Sequence, residues 1–256
     1  MQEASPGDHA PTPIGIAALN EAEGGRIPLT PALPAWQQDG ERRRTQTIVA
    51  ALALKPGEVF LDVGCGFGGL LIALGATGAE LHGVDLAESR LQRASQNIAA
   101  HGSRATLHAG SATALPFARE MFSAVCLSEV LEHIPEPDAA IAEARRILVP
   151  GGRLVVTVPN QENIRMVTCM HCGEASPLNG HLHSFDCAAL AARMEAHGLR
   201  VTECRPTYLR VNARPFGGLA LRPLPAKAWV ALDRRVTGRF GTKGAWLIAV
   251  AHTPGG

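Results

Sequence analysis

The sequence has no excess of charge of either sign, since 24 Lys and Arg residues stand against 23 Asp and Glu residues. No global field therefore draws the chain to a phosphate backbone or an anionic membrane, and nucleic acid is not an expected substrate. No apolar run approaches the roughly 20 residues that span a bilayer, and no basic segment followed by an apolar one opens the sequence. These absences predict a soluble cytoplasmic protein with no membrane span.

A disulfide framework is also absent from the pattern. Six cysteines are spread over 256 residues, which is not the dense spacing of small secreted domains, so the thiols are expected to be reduced.

Hydrophobic residues make up 46% of the chain, enough to bury a sizeable core. We expect an irregular N-terminal arm at 1–39 and one domain at 40–256, with a lid insertion at 161–185 and a C-terminal insertion at 212–241. Nothing in the sequence predicts an oligomeric state.

Short apolar runs alternate with segments whose apolar residues recur at helical spacing. Repeated strand and helix units with short connections predict an α/β fold, a doubly wound parallel sheet with helices on both faces. Such sheets bind ligands at the carboxyl ends of their strands, near the point where the strand order reverses. The basic run Arg42 to Arg44 is expected at the solvated start of a helix. The predicted strands are 59–63, 81–85, 105–108, 124–127, 153–158, 199–204 and 245–251.

The stretch LDVGCGFGG at 61–69 spans the end of the first predicted strand and a loop with four glycines. Gly64, Gly66 and Gly69 have the G-x-G-x-x-G spacing of nucleotide-binding loops, and Asp85 lies about 20 residues further on, where its carboxylate can accept both ribose hydroxyls. A carboxylate at Asp62 repels a pyrophosphate by roughly 4 kcal/mol per charge pair at about 4 Å. It attracts the sulfonium and ammonium groups of S-adenosylmethionine instead. The loop therefore favours that cofactor over NAD(P), and the alternative in which Asp62 only accepts loop amides stays open.

Five segments, taken in order, resemble the signatures of class I S-adenosylmethionine-dependent methyltransferases. They are LDVGCGFGG, GVD at 83–85, ALPF at 114–117, SEVLEHIPEP at 128–137 and LVPGGRLVVTVPN at 148–160. The similarity covers roughly residues 45–205 and is greatest to the branch that includes ubiquinone-biosynthesis O-methyltransferases. It implies a Rossmann-like, seven-stranded sheet whose last strand is antiparallel.

The resemblance also implies which residues bind the cofactor. The glycine loop would contact its methionine and ribose portions, the end of the second strand its ribose and adenine, the segment after the third strand its adenine, and the end of the fourth strand its ammonium. Family members often have an aspartate in place of the serine after the third strand, so that contact is weakened here. In the same order the residues are Asp62, Gly64, Cys65 and Gly66; Asp85 and Leu86; Ser111 and Ala112; and Leu127 and Ser128.

Methyl transfer to a hydroxyl or thiol acceptor needs a group that takes the acceptor's proton. Glu129, Glu132 and His133 have i, i+3 and i+4 spacing, which places them on one face of a helical turn. His133 is the preferred base, with the glutamates orienting it or, as the ubiquinone branch suggests, helping to hold a divalent cation near the acceptor. The alternative is a structural turn that only satisfies its own helix end.

A second cluster of polar residues lies in CMHCGEASPLNGHLHSF at 169–185. Cys169, Cys172, His181 and His183 have the ligand types of a tetrahedral zinc site, which would pin the lid insertion and have a structural role. The alternative is a lid without metal whose thiols are incidental.

These observations together predict an enzyme that moves a methyl group from S-adenosylmethionine to a small-molecule acceptor by in-line displacement. Oxygen is the favoured acceptor atom, and carbon, nitrogen and sulfur stay possible. Two alternatives remain, an NAD(P)-dependent oxidoreductase that uses the same loop and a non-catalytic module that binds S-adenosylmethionine.

Overall fold

The computed structural model describes residues 35–168, 173–209, 228, 230–235 and 244–255. Nine strands lie in these residues, and seven of them form one sheet. The strands are β1 (Val59–Val63), β2 (Glu80–Asp85), β3 (Thr106–Ala109), β4 (Phe122–Ser128), β5 (Leu148–Pro159), β6 (Met166–Thr168), β7 (Ala175–Pro177), β8 (Arg200–Leu209) and β9 (Gly244–His252).

The large sheet has the strand order β3-β2-β1-β4-β5-β9-β8. Its first five strands are parallel, and β9 is antiparallel to both β5 and β8. The expected seven-stranded Rossmann-like sheet with an antiparallel last strand is confirmed. The order reverses between β1 and β4, so the carboxyl ends of these two strands mark the place where such a fold binds ligands.

Helices cover both faces of the sheet. Alternate residues of β1 enter two different core clusters: Phe60 packs with residues of the helices on one face, and Leu61 and Val63 pack with residues of the helices on the other. Each fully buried side chain of this size contributes about 1.5 to 3 kcal/mol. The first face carries α1 (Ala35–Leu52), α2 (Gly69–Leu74) and α3 (Glu88–Ala100), and the second carries α4 (Pro137–Ile147) and α5 (Cys187–Ala196).

Several boundaries differ from the sequence-based expectation. The helix expected from residue 40 begins at Ala35, inside the expected arm. The strand β5 begins at Leu148, directly after α4, and a register shift against β4 accommodates the Pro-Gly-Gly segment within the strand. The lid insertion contains the hairpin of β6 and β7, which the sequence pattern does not predict.

The C-terminal insertion contributes helical residues at 230–235, and most of its remaining residues lie outside the described part of the chain. Asp233 is buried there and accepts a hydrogen bond from Oγ1 of Thr207 in β8 at 2.7 Å. This contact attaches the helical segment to the edge of the sheet. A search of the described helices for one long and apolar enough to cross a bilayer finds none.

Candidate active site

Between β1 and α2 the chain turns sharply at the carboxyl edge of the sheet. Gly64, Gly66 and Gly68 have positive φ angles of 70°, 52° and 80°, which favour glycine. The amide of Gly64 donates to the carbonyl of Val84 at 2.8 Å and ties the loop to β2. A Cβ atom on Gly64 would lie 2.6 Å from Cγ2 of Val130, whereas one on Gly66 would meet no atom within 4 Å. The loop is therefore packed against the protein at Gly64 and open at Gly66, where a ligand can approach the backbone.

The carboxylate of Asp85 organises the end of β2. Its Oδ2 atom accepts the amide of Gly66 at 2.9 Å, and its Oδ1 atom accepts the amide of Ala87 at 3.0 Å. Leu86, the next residue, exposes 42% of its surface. An acceptor group and an apolar side chain thus lie side by side beside the open loop, and their contacts with ribose and adenine stay a prediction.

Asp62 is buried at the end of β1, and burial is the main cause that raises its pKa to about 8, with the nearby charge of Asp85 adding to the effect. The amides of Gly64 and Cys65 donate to a carbonyl of β2, and the amide of Gly66 donates to Asp85. These loop amides therefore have acceptors other than Asp62, which argues against the alternative that Asp62 serves only the loop. A buried carboxyl next to a second carboxylate is suited to a cationic ligand and opposes a phosphate.

The segment after β3 lies beside the same edge. The amide of Gly110 donates to the carbonyl of Asp85 at 3.1 Å, so the segment follows the end of β2. Oγ of Ser111 lies 2.9 Å from Oγ1 of Thr113 within a short turn, and Ala112 packs against the core. Ser111 is therefore near the predicted adenine position, with its hydroxyl already engaged in the turn.

At the carboxyl end of β4, Leu127 is buried and Ser128 is half-buried. Oγ of Ser128 lies 3.1 Å from Oγ1 of the fully buried Thr157 in β5. Since β4 is adjacent to β1, both residues lie at the switch point, and their contacts with the methionine ammonium stay a prediction.

Glu129 has a left-handed backbone conformation, with a φ angle of 56°. Its amide donates to the carbonyl of Thr157 at 2.9 Å, and its Oε1 atom accepts the hydroxyl of Thr157 at 3.1 Å. The guanidinium of Arg44 lies 3.2 Å from Oε2 of Glu129 and 5.3 Å from the ring centre of Trp246. Such a conformation in a residue other than glycine costs about 1 to 3 kcal/mol and needs support from its surroundings, which these contacts supply.

Two expectations are corrected here. The helical turn is a 3-10 turn that covers only Leu131–His133, so Glu129 does not share one helical face with Glu132 and His133. The basic run of α1 is not fully solvated, because Arg43 is buried and Arg44 reaches Glu129. Sequence reasoning missed Arg44 as a site residue, since the contact joins residues far apart in the chain.

Glu132 is fully buried, and neither of its carboxyl oxygens has a hydrogen-bond partner. Burial, followed by the charge of the neighbouring Glu129, raises its pKa to about 9. An unpartnered buried carboxyl costs about 1 to 3 kcal/mol and calls for an explanation such as an ion.

His133 completes the turn beside this carboxyl. Its Nδ1 atom donates to the carbonyl of Gly180 in the lid insertion at 3.2 Å, and its ring lies edge-on to that of His181, with 4.6 Å between centroids. Burial, followed by the charge of His181, lowers the pKa of His133 to about 4. The imidazole is therefore neutral at pH 7, with Nε2 as its free lone pair.

Glu132, His133 and His181 each present one ligand atom, and these atoms lie within 4.8 Å of one another. Nδ1 of His181 also bonds to the carboxylate of Glu162, which fixes the ring in the way that outer carboxylates orient metal-binding histidines. The sequence pattern grouped His181 with the cysteines of the lid insertion. Its neighbours in the structure, Glu132 and His133, lie far earlier in the chain, so their spacing gave no signal for this contact.

The predicted zinc set is only partly within the described residues. Cys169 and Cys172 lie outside them. Nε2 of His183 donates to the carbonyl of Ile134 at 3.0 Å, while His181 faces His133. The two histidines therefore have different partners in the described part of the chain.

Residues 61–156 match the family described as a methyltransferase domain. The segment includes the glycine loop, Asp85, Glu129 and the turn that carries Glu132 and His133. This segment is a methyltransferase domain. Two residues of the candidate site, Arg44 and His181, lie outside the match and come from the parts of the chain that flank the methyltransferase domain.

Curated relatives carry names from quinone pathways. The chain is 34% identical over 135 residues to a ubiquinone biosynthesis O-methyltransferase of Methylococcus capsulatus, a match that covers 49% of this chain and 56% of that protein. It is 33% identical over 144 residues to a demethylmenaquinone methyltransferase of Mycobacterium marinum, covering 56% of this chain and 59% of that protein. The chain thus spans about half the length of the curated relatives it matches.

Solved structures share the fold of the methyltransferase domain over more of the chain. The [4+2]-cyclase SpnF superposes with a TM-score of 0.65 at 24% identity, covering 93% of this chain and 92% of that one. A 1,6-didemethyltoxoflavin-N1-methyltransferase of Burkholderia thailandensis, solved with S-adenosylhomocysteine, superposes with a TM-score of 0.60 at 16% identity, covering 93% and 85%. At these identities the likeness concerns the fold alone, and one of the two proteins is a cyclase.

Proposed function

We propose that this chain transfers the methyl group of S-adenosylmethionine to a hydroxyl oxygen of a small molecule. The observation that carries the proposal is the buried Asp62 beneath an open glycine loop, a charge arrangement that attracts a sulfonium and opposes a pyrophosphate. The preference for oxygen is supported by the name of the O-methyltransferase relative, and the other acceptor atoms stay possible.

In this proposal the ends of four neighbouring strands, β1 to β4, hold the cofactor. Asp62 and the loop backbone from Gly64 to Gly66 contact the methionine and ribose portions. The carboxylate of Asp85 accepts the ribose hydroxyls, and the exposed face of Leu86 packs on the adenine. The bound cofactor supplies a methyl group on a positively charged sulfur, and the chain's task is to align the acceptor with that methyl, which can contribute about 7 to 11 kcal/mol. The remaining cofactor contacts come from Ser111, Ala112, Leu127 and Ser128.

His133 is the residue we propose to act on the acceptor. The Nδ1 hydrogen bond to Gly180 fixes the tautomer and leaves Nε2 with the free lone pair, which can take the acceptor's proton or bind a cation. The low pKa of His133 makes it a weak base by itself. A divalent cation that takes this lone pair would replace the base, because it would lower the pKa of the acceptor hydroxyl and let the proton leave to solvent.

Glu132, His133 and His181 are the residues that would hold this cation. The set fits, because the unpartnered carboxyl of Glu132 needs a positive partner and imidazole nitrogens are good ligands for Mn²⁺, Fe²⁺ or Zn²⁺. We propose that Glu129 is not a ligand of the cation. Its carboxylate pairs with Arg44 beside the cluster. Zinc bound by Cys169, Cys172, His181 and His183 stays a competing prediction, and His181 cannot serve both sites at once.

Metal analysis can separate the two sites. If the cluster holds the ion, Glu132→Gln removes it from the purified chain and a Cys169→Ser/Cys172→Ser variant keeps it. Loss of the ion only in the double cysteine variant would support the zinc site in the lid insertion instead.

The function is tested with methyl-labelled S-adenosylmethionine and two probes, 3,4-dihydroxybenzoate as a catechol and menadiol as a hydroquinone, with and without Mn²⁺. We expect label in the organic product, reduced at least tenfold in His133→Ala, which leaves cofactor binding intact. Calorimetry with NAD(P) runs in parallel. Tight NAD(P) binding without S-adenosylmethionine binding would favour the oxidoreductase, and cofactor binding without transfer would favour a non-catalytic module.

A further inference from the structure

An ion pair on α4 lies against the loop that connects β3 to β4. Glu143 and Arg146 are one helical turn apart. Nε of Arg146 donates to Oε1 of Glu143 at 2.7 Å, and Nη2 donates to Oε2 at 2.8 Å. Arg146 exposes 22% of its side chain and Glu143 exposes 20%, so solvent screens the pair only in part. Two parallel hydrogen bonds of this kind fix the orientation of the guanidinium plane.

The same ion pair also binds the backbone of the loop. Oε2 of Glu143 accepts the amide of Leu115 at 2.8 Å. Nη2 of Arg146 donates to the carbonyl of Leu115 at 3.1 Å, and Nη1 donates to the carbonyl of Phe117 at 2.8 Å. Leu115 and Phe117 lie between strands, where a backbone group needs a side chain or water as its partner. The ion pair therefore supplies three bonds that hold this part of the loop on α4.

The loop held in this way carries the predicted adenine contacts. The amide of Ala114 donates to the carbonyl of Ser111 at 3.1 Å, and the two residues form a bridge that closes the turn between them. The residue after this turn is Leu115, which the ion pair holds. The residue before it is Gly110, whose amide donates to the carbonyl of Asp85 in β2. The turn is therefore attached to the fold at both of its ends.

We propose that Glu143 and Arg146 are positioning residues for the adenine end of the cofactor. By holding the loop they keep Ser111 and Ala112 in place before the base binds, so that binding does not have to order the loop. The inference rests on the proposed function, since the adenine of S-adenosylmethionine is the group that this turn would contact. The two residues act through the loop, and the inference requires no contact between them and the cofactor.

A second ion pair of the same kind provides a matched control. Nη1 and Nη2 of Arg153 donate to the two carboxylate oxygens of Glu58 at 2.9 and 2.6 Å, and Nε bonds to the carbonyl of Leu52. Arg153 exposes 17% of its side chain, which is close to the value for Arg146. Glu58 directly precedes β1, so this pair lies at the amino ends of the strands, opposite the glycine loop. Arg153→Met thus removes a comparable pair and leaves the loop after β3 intact.

Calorimetry with two ligands tests where the effect arises. 5′-Methylthioadenosine has the adenosine portion of S-adenosylhomocysteine and lacks its amino acid portion, so a defect at the adenine should weaken both ligands by the same factor. We expect Glu143→Ala to weaken both about tenfold, the effect of one buried hydrogen bond left unmade. Arg153→Met should stay within about twofold of wild type for both. Glu143→Gln keeps an acceptor for the amide of Leu115 and should recover most of the affinity.

Hydrogen exchange shows whether the loop itself is released. The amides of 111–117 should exchange faster in Glu143→Ala and at the wild-type rate in Arg153→Met. If melting curves show that Glu143→Ala is unfolded, Arg146→Lys replaces it, because lysine keeps the charge and loses the fork that spans both carbonyls; it should weaken both ligands about threefold.

The inference is overturned if the folded variant of the pair binds both ligands as wild type does, if only S-adenosylhomocysteine is weakened, or if Arg153→Met weakens both ligands to the same extent. Wild-type protein that binds neither ligand would refute the proposed function itself. Wild-type protein that binds both, with no loss in the variants of the pair, would refute this inference alone.

Discussion

The affinity of the chain for S-adenosylmethionine should increase with pH between about pH 6 and 8, because of Asp62. Its pKa is about 8, since the carboxyl is buried near the charge of Asp85. Asp62 is therefore mostly protonated at pH 7 in the free protein. A sulfonium beside it favours the charged form, so binding releases a proton, and a higher pH assists that release.

The size of the effect follows from the ionised fraction of a group with a pKa of about 8. That fraction is about 1% at pH 6, about 9% at pH 7 and about 50% at pH 8. With a pKa below about 5 in the complex, the dissociation constant falls about tenfold between pH 6 and 7 and about fivefold more by pH 8. The first step equals about 1.4 kcal/mol of binding free energy. About 0.9 proton is released per cofactor bound at pH 7.

Isothermal titration calorimetry measures both quantities. Titrations at pH 6 and 7 in buffers with different heats of ionisation give the dissociation constant and the number of protons released. This range avoids the titration of the cofactor's own amino group, which lies near pH 8. S-adenosylhomocysteine has the same amino group and no sulfonium, so its pH dependence should be weaker. Asp62→Asn should abolish the dependence while its own binding of S-adenosylhomocysteine persists.

A dissociation constant for S-adenosylmethionine that is the same at pH 6 and 7, with no proton released, would refute the reasoning. So would a pH dependence that Asp62→Asn retains in full. Either result would mean that another group pairs with the sulfonium, and the argument from charge against a phosphate ligand would lose its basis.

Three further predictions concern single positions. Gly64→Ala should lower cofactor affinity at least tenfold, because its Cβ would lie 2.6 Å from a neighbouring side-chain carbon; Gly57→Ala, with a similar positive φ but open space, is the matched control in calorimetry. Arg44→Met should lower the free energy of unfolding by about 2 kcal/mol, because it leaves the half-buried carboxylate of Glu129 without its cation. Urea unfolding measures this loss, and adding Glu129→Gln should restore about half of it; equal loss in the double variant would contradict the pairing. Glu132→Gln should weaken Mn²⁺ binding at least tenfold, followed by electron paramagnetic resonance, while its melting temperature stays within a few degrees of wild type.

The features that could be predicted from the sequence are those that depend on local pattern. The alternation between apolar runs and segments with apolar residues at helical spacing depends on neighbours a few residues apart. The order of strands and helices and the parallel sheet could therefore be predicted. The same holds for the glycine loop, where the positive φ angles of Gly64 and Gly66 need glycine at those positions. The antiparallel last strand came from the resemblance, since no local pattern distinguishes its direction.

The features that could not be predicted depend on contacts between distant residues. The pair of Arg44 and Glu129 joins α1 to the end of β4, and spacing in the sequence carries no signal for it. The i, i+4 spacing suggested a helical turn starting at Glu129, but the hydrogen bonds to Thr157 hold that residue in a left-handed conformation, so the turn begins later. His181 is a comparable case, because its approach to His133 depends on how the lid insertion closes on the sheet edge.

The two buried carboxyls of the site indicate the kind of ligand that each part of it binds. Asp62 and Glu132 lie at or just beyond the ends of adjacent strands, and burial raises the pKa of both far above the usual range. Fold stability alone does not favour such groups, because each is less costly when protonated or replaced by an apolar residue. A positively charged ligand reverses that balance by favouring the ionised form. In the proposed complex the sulfonium would lie within reach of one carboxyl and a divalent cation within reach of the other, so the same physical argument supports the proposal of a cofactor at β1 and an activating ion at the end of β4.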